Sequence, residues 1–155
     1  MTRVLILACG NPLRSDDGAA PEIVKRLQDG AGEPKAEILC AHQWTPEMAE
    51  NISQSDLVIF VDASAVIPAG EIQVRAISAR EERLGATTHA CGPERLLALA
   101  QTLYGKVPGR AFLLTIGGQS FEHGERLSEV VQQAVPKACE EIRRLLSQAT
   151  PVNSR

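Results

Sequence analysis

The sequence predicts an α/β fold: a three-layer α/β/α sandwich with a mostly parallel sheet and an antiparallel edge strand. Three observations carry this. Continuous apolar runs of strand length, Val4–Cys9 and Leu57–Val61, suit strands buried on both faces of a parallel sheet. Segments with helical spacing alternate with the strand-like ones, an order that packs crossovers on both faces. One segment, Glu71–Ile77, alternates polar and apolar residues, the pattern of a half-exposed edge strand. The 155 residues fit a single domain, 1–155, large enough to bury a sizeable core.

Each element has its own local signal. The first strand runs from about Arg3 to Ala8 or Cys9, and Gly10 ends it. A helix follows Asp17, with Ala20, Ile23, Val24 and Leu27 at a 3.6-residue period and Pro21 in its first turn, where a missing N–H is harmless. Asp29-Gly30-Ala-Gly32 closes it. Ala36 to Ala41 reads as the second strand. Thr45 is the expected N-cap of a short helix, with Pro46 at its first position. Leu57–Val61 is the third strand, and Asp62 follows it directly. Pro68-Ala-Gly70 makes a turn into the edge strand, and Arg80 to Gly92 is an irregular polar loop. Pro93 opens a helix with Leu96, Leu97, Ala100 and Leu103 on one face, and Ala111–Ile116 is the last strand. The terminal helix keeps helical spacing from Leu127 to Leu146. Pro136 lies inside it and is expected to split it, since an interior proline costs about 3 kcal/mol. The polar tail from Thr150 is expected to fray.

Composition removes several classes of function. A net charge of −3 gives no electrostatic support for binding nucleic acid or an anionic membrane. Aromatic residues are only 3% of the chain, too few for base-stacking platforms. No apolar run approaches the roughly 20 residues of a membrane helix, and Val4–Cys9 is too short for a signal-peptide core. A cytoplasmic location and a monomer are the expectations. Cys9, Cys40, Cys91 and Cys139 form no C-x-x-C pair, which excludes a zinc ribbon or a thioredoxin-type motif. Reduced, mostly buried thiols are expected instead. Dinucleotide, P-loop, nucleophile-elbow and zincin motifs are all missing.

Three polar positions remain where chemistry is expected. Asp16-Asp17 follow the first strand, Asp62 ends the most hydrophobic strand, and His89 lies in the loop before the Pro93 helix. Ligands of open α/β sheets bind beyond the carboxyl ends of the strands. If the three loops open on that edge, two carboxylates and an imidazole make a ligand set for a divalent transition metal with positions left for substrate. Each residue also has a structural reading: Asp17 as a helix cap, Asp62 as a turn residue, His89 as an ordinary loop histidine. Asp16 stays open between a general base and a cap. His42 follows the second strand and is a weaker candidate. His123 sits in a Phe-Glu-His-Gly turn and is expected to be exposed. Gly117-Gly118-Gln-Ser120 is a weak signal for a flexible rim loop.

At these residues the chain resembles the hydrogenase maturation proteases. These endopeptidases trim the C-terminal extension from the large-subunit precursor of nickel-iron hydrogenases. The matching pieces are Gly10-Asn-Pro-Leu-Arg-Ser-Asp-Asp-Gly18, Val58-Ile-Phe-Val-Asp62-Ala and Thr88-His89 ahead of the Pro93 helix. Ser120-Phe-Glu-His-Gly124, Leu127-Ser128 and Ala134-Val-Pro136 are similar too, so the resemblance spans nearly the whole chain in order. It implies an α/β/α sandwich and a metal-contacting triad at Asp17, Asp62 and His89. It also implies that the nickel is carried by the precursor, the expected partner, rather than held permanently. Some members have glutamate where Asp17 stands. Many carry Asp-Gly-Gly-Thr after the second strand, where this chain reads Cys40-Ala-His-Gln-Trp-Thr-Pro-Glu47. The difference makes His42 and Gln43 candidate rim residues.

Overall fold

The computed structural model describes residues 2–30, 35–79 and 92–149. Along the chain it forms β1 (Val4–Cys9), a 3₁₀ turn (Ser15–Gly18), α1 (Ala19–Asp29), β2 (Glu37–Ala41) and α2 (Met48–Ser53). Then come β3 (Leu57–Ser64), β4 (Ile72–Ala76), α3 (Pro93–Tyr104), β5 (Arg110–Gly117) and α4 (Glu129–Ala149). The five strands form one sheet in the order β2-β1-β3-β5-β4. All neighbours are parallel except β4, which pairs antiparallel with β5 at the edge. The predicted fold class is therefore the observed one.

Strand periodicity explains the layers. Successive side chains of a strand point to opposite faces. On β1 and β3, Ile6, Ala8, Leu57, Ile59 and Val61 pack with α1 and α4 on one face. Leu5, Leu7, Val58 and Phe60 pack with α2 and α3 on the other. The chain leaves β1 through α1 on one face to reach β2, then returns through α2 on the other face to reach β3. The sheet thus reverses its direction of winding between β1 and β3. Such a switch point opens a crevice at the carboxyl ends of the two strands.

Four local expectations are corrected. Pro136 does not split the last helix: α4 is continuous from Glu129 to Ala149. Val131, Ala134, Val135, Ala138, Cys139, Ile142 and Leu145 form one buried face that runs across the proline. Burying such side chains is worth about 1.5–3 kcal/mol for each large one, so together they outweigh the lost hydrogen bond. Leu103, in the last turn of α3, is 61% exposed, whereas Leu96, Leu97 and Ala100 are buried. Thr45 is not the N-cap of α2. Its carbonyl accepts from the Met48 N–H in a tight turn, and Glu47 occupies the cap position without a side-chain cap bond. Cys9 and Cys139 are buried but Cys40 is exposed, on the strand at the other sheet edge. Cys91, the Arg80–Cys91 part of the polar loop and the tail from Thr150 lie outside the described residues. Among the described residues, no helix is long and apolar enough to cross a membrane.

Candidate active site at the carboxyl edge of the sheet

The segment Gly10–Gly18 is a loop whose two ends meet. Gly10 has to be glycine, because a Cβ there would lie 1.9 Å from the Asp17 carbonyl oxygen. Its N–H bonds to the Ala41 carbonyl at 2.9 Å, so the loop leaves the sheet from a fixed point. The Asn11 side chain accepts from the Leu13 N–H at 3.0 Å and shapes the turn from within. The Asn11 N–H donates to Asp17 Oδ2 at 2.8 Å. These contacts give the physical reason for the spacing between Gly10-Asn11 and Asp17: one end of the loop holds the other.

Asp62 lies within β3 near its carboxyl end, paired in register with Cys9 of β1 and Thr115 of β5. Alternation puts it on the same face as Val58 and Phe60, toward the layer of α2 and α3. Burial pushes its carboxyl up from 3.8 to about 7, against the lowering effect of the Ala63 N–H and with help from the negative charge of Asp17. Cys9, its neighbour in register, is pushed up to about 12 by burial, then by Asp62 and Asp17. It is a neutral thiol and no nucleophile. Asp17, in the 3₁₀ turn after β1, is thus close enough to Asp62 for its negative charge to disfavour ionisation of Asp62.

Asp16, next to Asp17, has a different environment. It is fully buried and its carboxylate accepts four hydrogen bonds. Gln119 N–H (2.7 Å), Ser120 N–H (3.0 Å) and Ser128 Oγ (2.8 Å) donate to Oδ2, and Ser128 N–H (2.7 Å) donates to Oδ1. Burial alone would raise its pKa, but the bonds from Ser120, Ser128 and Gln119 outweigh that and hold it below 3.8. With its oxygens occupied and no access to water, Asp16 is neither a free base nor a helix cap. Its partners stand more than a hundred positions away in the sequence. The only signals that pointed to them were the Gly117-Gly118 pair, with Ser120, and Ser128 within the matched pieces.

The remaining candidates divide by position. His42 and Gln43 are exposed just beyond β2, on the same edge as the carboxylates, and His123 is exposed in its turn. His89 lies outside the described residues. Among the described residues, no three His, Cys, Asp or Glu side chains are grouped to hold a metal ion. Asp17 and Asp62 could supply two carboxylates to such a set, and a cation beside them would offset the burial and the Asp17 charge that raise the Asp62 carboxyl. A cavity of about 640 Å³ lies at the opposite, amino edge, lined by Arg3, Asp56, Tyr104 and Lys106 among others, and contains none of these groups.

No family model matches the chain, and no curated protein does. Solved structures do. The hydrogenase maturating endopeptidase HybD from E. coli has a TM-score of 0.72 at 23% identity, covering 96% of this chain and 94% of its own. A hydrogenase 2 maturation peptidase from a Thaumarchaeota archaeon has a TM-score of 0.69 at 26% identity, covering 94% and 98%. The NiFe hydrogenase maturation protease HybD from Thermococcus kodakarensis has a TM-score of 0.68 at 25% identity, covering 93% and 99%. The resemblance read from the motifs therefore extends to three dimensions over nearly the full length of both partners, and the chain has the fold of the hydrogenase maturation endopeptidases.

Proposed function

We propose that this chain is a processing endopeptidase. It removes the C-terminal extension of a nickel-iron hydrogenase large-subunit precursor once nickel has been inserted. The observation that carries the reading is the Asp17–Asp62 pair at the switch point of a fold shared with hydrogenase maturation peptidases. Nickel is part of the substrate here. Asp17, Asp62 and His89 contact the ion in the precursor and so place the scissile bond against the carboxyl edge. Holding the reacting groups in register lowers the barrier by itself. The ion supplies Lewis-acid polarisation of a nearby carbonyl or water when the precursor is bound. Water adds across the peptide bond. A carboxylate oxygen not engaged by the ion takes its proton and returns it to the leaving amine.

The test is the mass of nickel-loaded precursor before and after incubation with the protein. Wild type is expected to shorten the precursor. Asp17→Ala, Asp62→Ala and His89→Ala are each expected to leave it intact while keeping the wild-type circular dichroism. Wild-type cleavage by any of the three overturns the assignment. Stable binding of nickel-loaded precursor with no change in mass would instead establish a non-catalytic assembly checkpoint.

A further inference from the structure

We propose that Asp16 is a positioning residue. Clamped by Ser128 and by the Gln119–Ser120 backbone, it makes the segment Gly117–Ser128 a brace that sets Asp17 against Asp62. The inference rests on the reading that these two carboxylates form the site.

The brace holds both carboxylate-bearing segments. Toward Asp17, the four hydrogen bonds to Asp16 are joined by the Asp16 N–H to the Ser120 carbonyl (2.9 Å) and the Ser15 N–H to the Gly124 carbonyl (2.8 Å). Ser15 Oγ donates to the Glu122 carbonyl at 2.8 Å, and the Gly124 N–H donates to the Leu13 carbonyl at 3.0 Å. Toward Asp62, the Gly118 N–H bonds to the carbonyl of Ser64, two residues beyond Asp62 on β3, at 2.9 Å. Gly118 lies between the two attachments: a Cβ there would come within 3.0 Å of the Asp16 Cβ and 2.6 Å of the Phe121 ring.

Backbone conformation shows that the brace holds a shape the turn would not take alone. Ser15 has φ of 51°, the left-handed region that non-glycine residues seldom occupy. Its amide and hydroxyl are both bonded to the brace, so surrounding contacts over-determine that conformation. Among the described residues, the Asp17 carboxylate accepts one hydrogen bond, from the Asn11 N–H. Its direction is therefore set by the segments on either side of it, with Gly10 packed on its carbonyl and Asp16 anchored in the brace.

Ser128 allows a mild test. Ser128→Ala deletes one of the four bonds to Asp16 and leaves the backbone donor, whereas Ser128→Thr keeps the hydroxyl. The reporter is the Asn11 amide, which bonds to the Asp17 carboxylate and needs neither nickel nor precursor. Ser128→Ala is expected to speed hydrogen exchange at Asn11 by about fivefold, the effect of weakening one hydrogen bond, and to lower kcat for precursor cleavage while KM changes little. Ser128→Thr is expected to restore both. Ile142→Val, which loosens the core away from the brace, is expected to leave Asn11 exchange unchanged. Unchanged Asn11 exchange in Ser128→Ala, or no recovery in Ser128→Thr, overturns the proposal. Faster Asn11 exchange that Thr reverses, in a protein that never cleaves precursor, upholds the positioning role and defeats the protease reading instead.

Discussion

Asp16 is fully buried and Asp62 half-buried near the same edge of the same sheet, and their surroundings push the two carboxylates in opposite directions. Asp16 accepts four hydrogen bonds and is held ionised, below 3.8. Among the described residues Asp62 accepts one, from its own neighbour Ala63, and it is pushed up to about 7. A fully buried carboxylate held by four donors is part of the scaffold, because no ligand reaches it without breaking them. One left short of donors, beside a second negative charge, is a cost to the fold that a cation or a proton relieves. Perturbed groups of the second kind gather at functional sites.

The largest effect expected from breaking this contrast is at Asp16. Asp16→Ala leaves the N–H groups of Gln119, Ser120 and Ser128 facing an empty buried position and releases the segment that fixes the 3₁₀ turn. Removing one partner of a buried charged network costs about 3–5 kcal/mol, so the expected loss in urea unfolding is of that order. A loss under about 1 kcal/mol would show that the network is not holding the fold together. Asp17→Asn at the neighbouring position keeps an amide oxygen to accept from the Asn11 N–H and is expected to change stability by less than about 1 kcal/mol while abolishing cleavage.

Gly10→Ala comes next and attacks the contrast from the other end of the loop. The new Cβ would sit 1.9 Å from the Asp17 carbonyl oxygen, a backbone atom that cannot rotate away. The loop must shift as a whole, at an expected cost of about 2–3 kcal/mol. The shift should move the Asn11 and Asp17 amide resonances most and those of Gln119 and Ser128 less, because the brace anchors Asp16. Equal shifts at all four would mean that the brace does not hold its end of the loop.

The sequence showed what local physics determines. Leu57–Val61 announced a strand buried on both faces, and Glu71–Ile77 announced the antiparallel edge. The place of Asp62 near the end of β3 is legible because an acid following an apolar run is visible in one dimension, whereas Asp17 stands farther on, in the 3₁₀ turn Ser15–Gly18. The role of Asp16 was not legible: its donors lie more than a hundred residues downstream, and in sequence it differs from Asp17 in nothing but order. Pro136 misled for a related reason. Its cost is local and easy to read, whereas the buried face that outweighs it exists only once α4 lies on α1 and the sheet. Cys40 escaped for the same reason: a thiol in a strand reads as buried until that strand turns out to be an edge.

The smallest expected effect is in the pH dependence of stability, where the two carboxylates should pull in opposite senses. Asp62 has a folded pKa raised from 3.8 to about 7. The native state therefore holds a proton there that the unfolded chain has already released. That contribution is complete below about pH 4 and is lost as pH rises through about 7. Asp16 has a lowered folded pKa, so its contribution is present above 3.8 and is lost as pH falls further into acid. Asp62→Asn cannot ionise and should abolish the first slope while keeping the second. The variant is expected to gain about 1–2 kcal/mol over wild type at pH 8, and little at pH 4, where wild-type Asp62 is itself neutral. Urea unfolding of both proteins across this range measures the difference. Parallel curves would mean that Asp62 is ionised and comfortable in the free protein. The strain attributed to the Asp17–Asp62 pair would then be absent, and the contrast with Asp16 would reduce to a difference in hydrogen bonding alone.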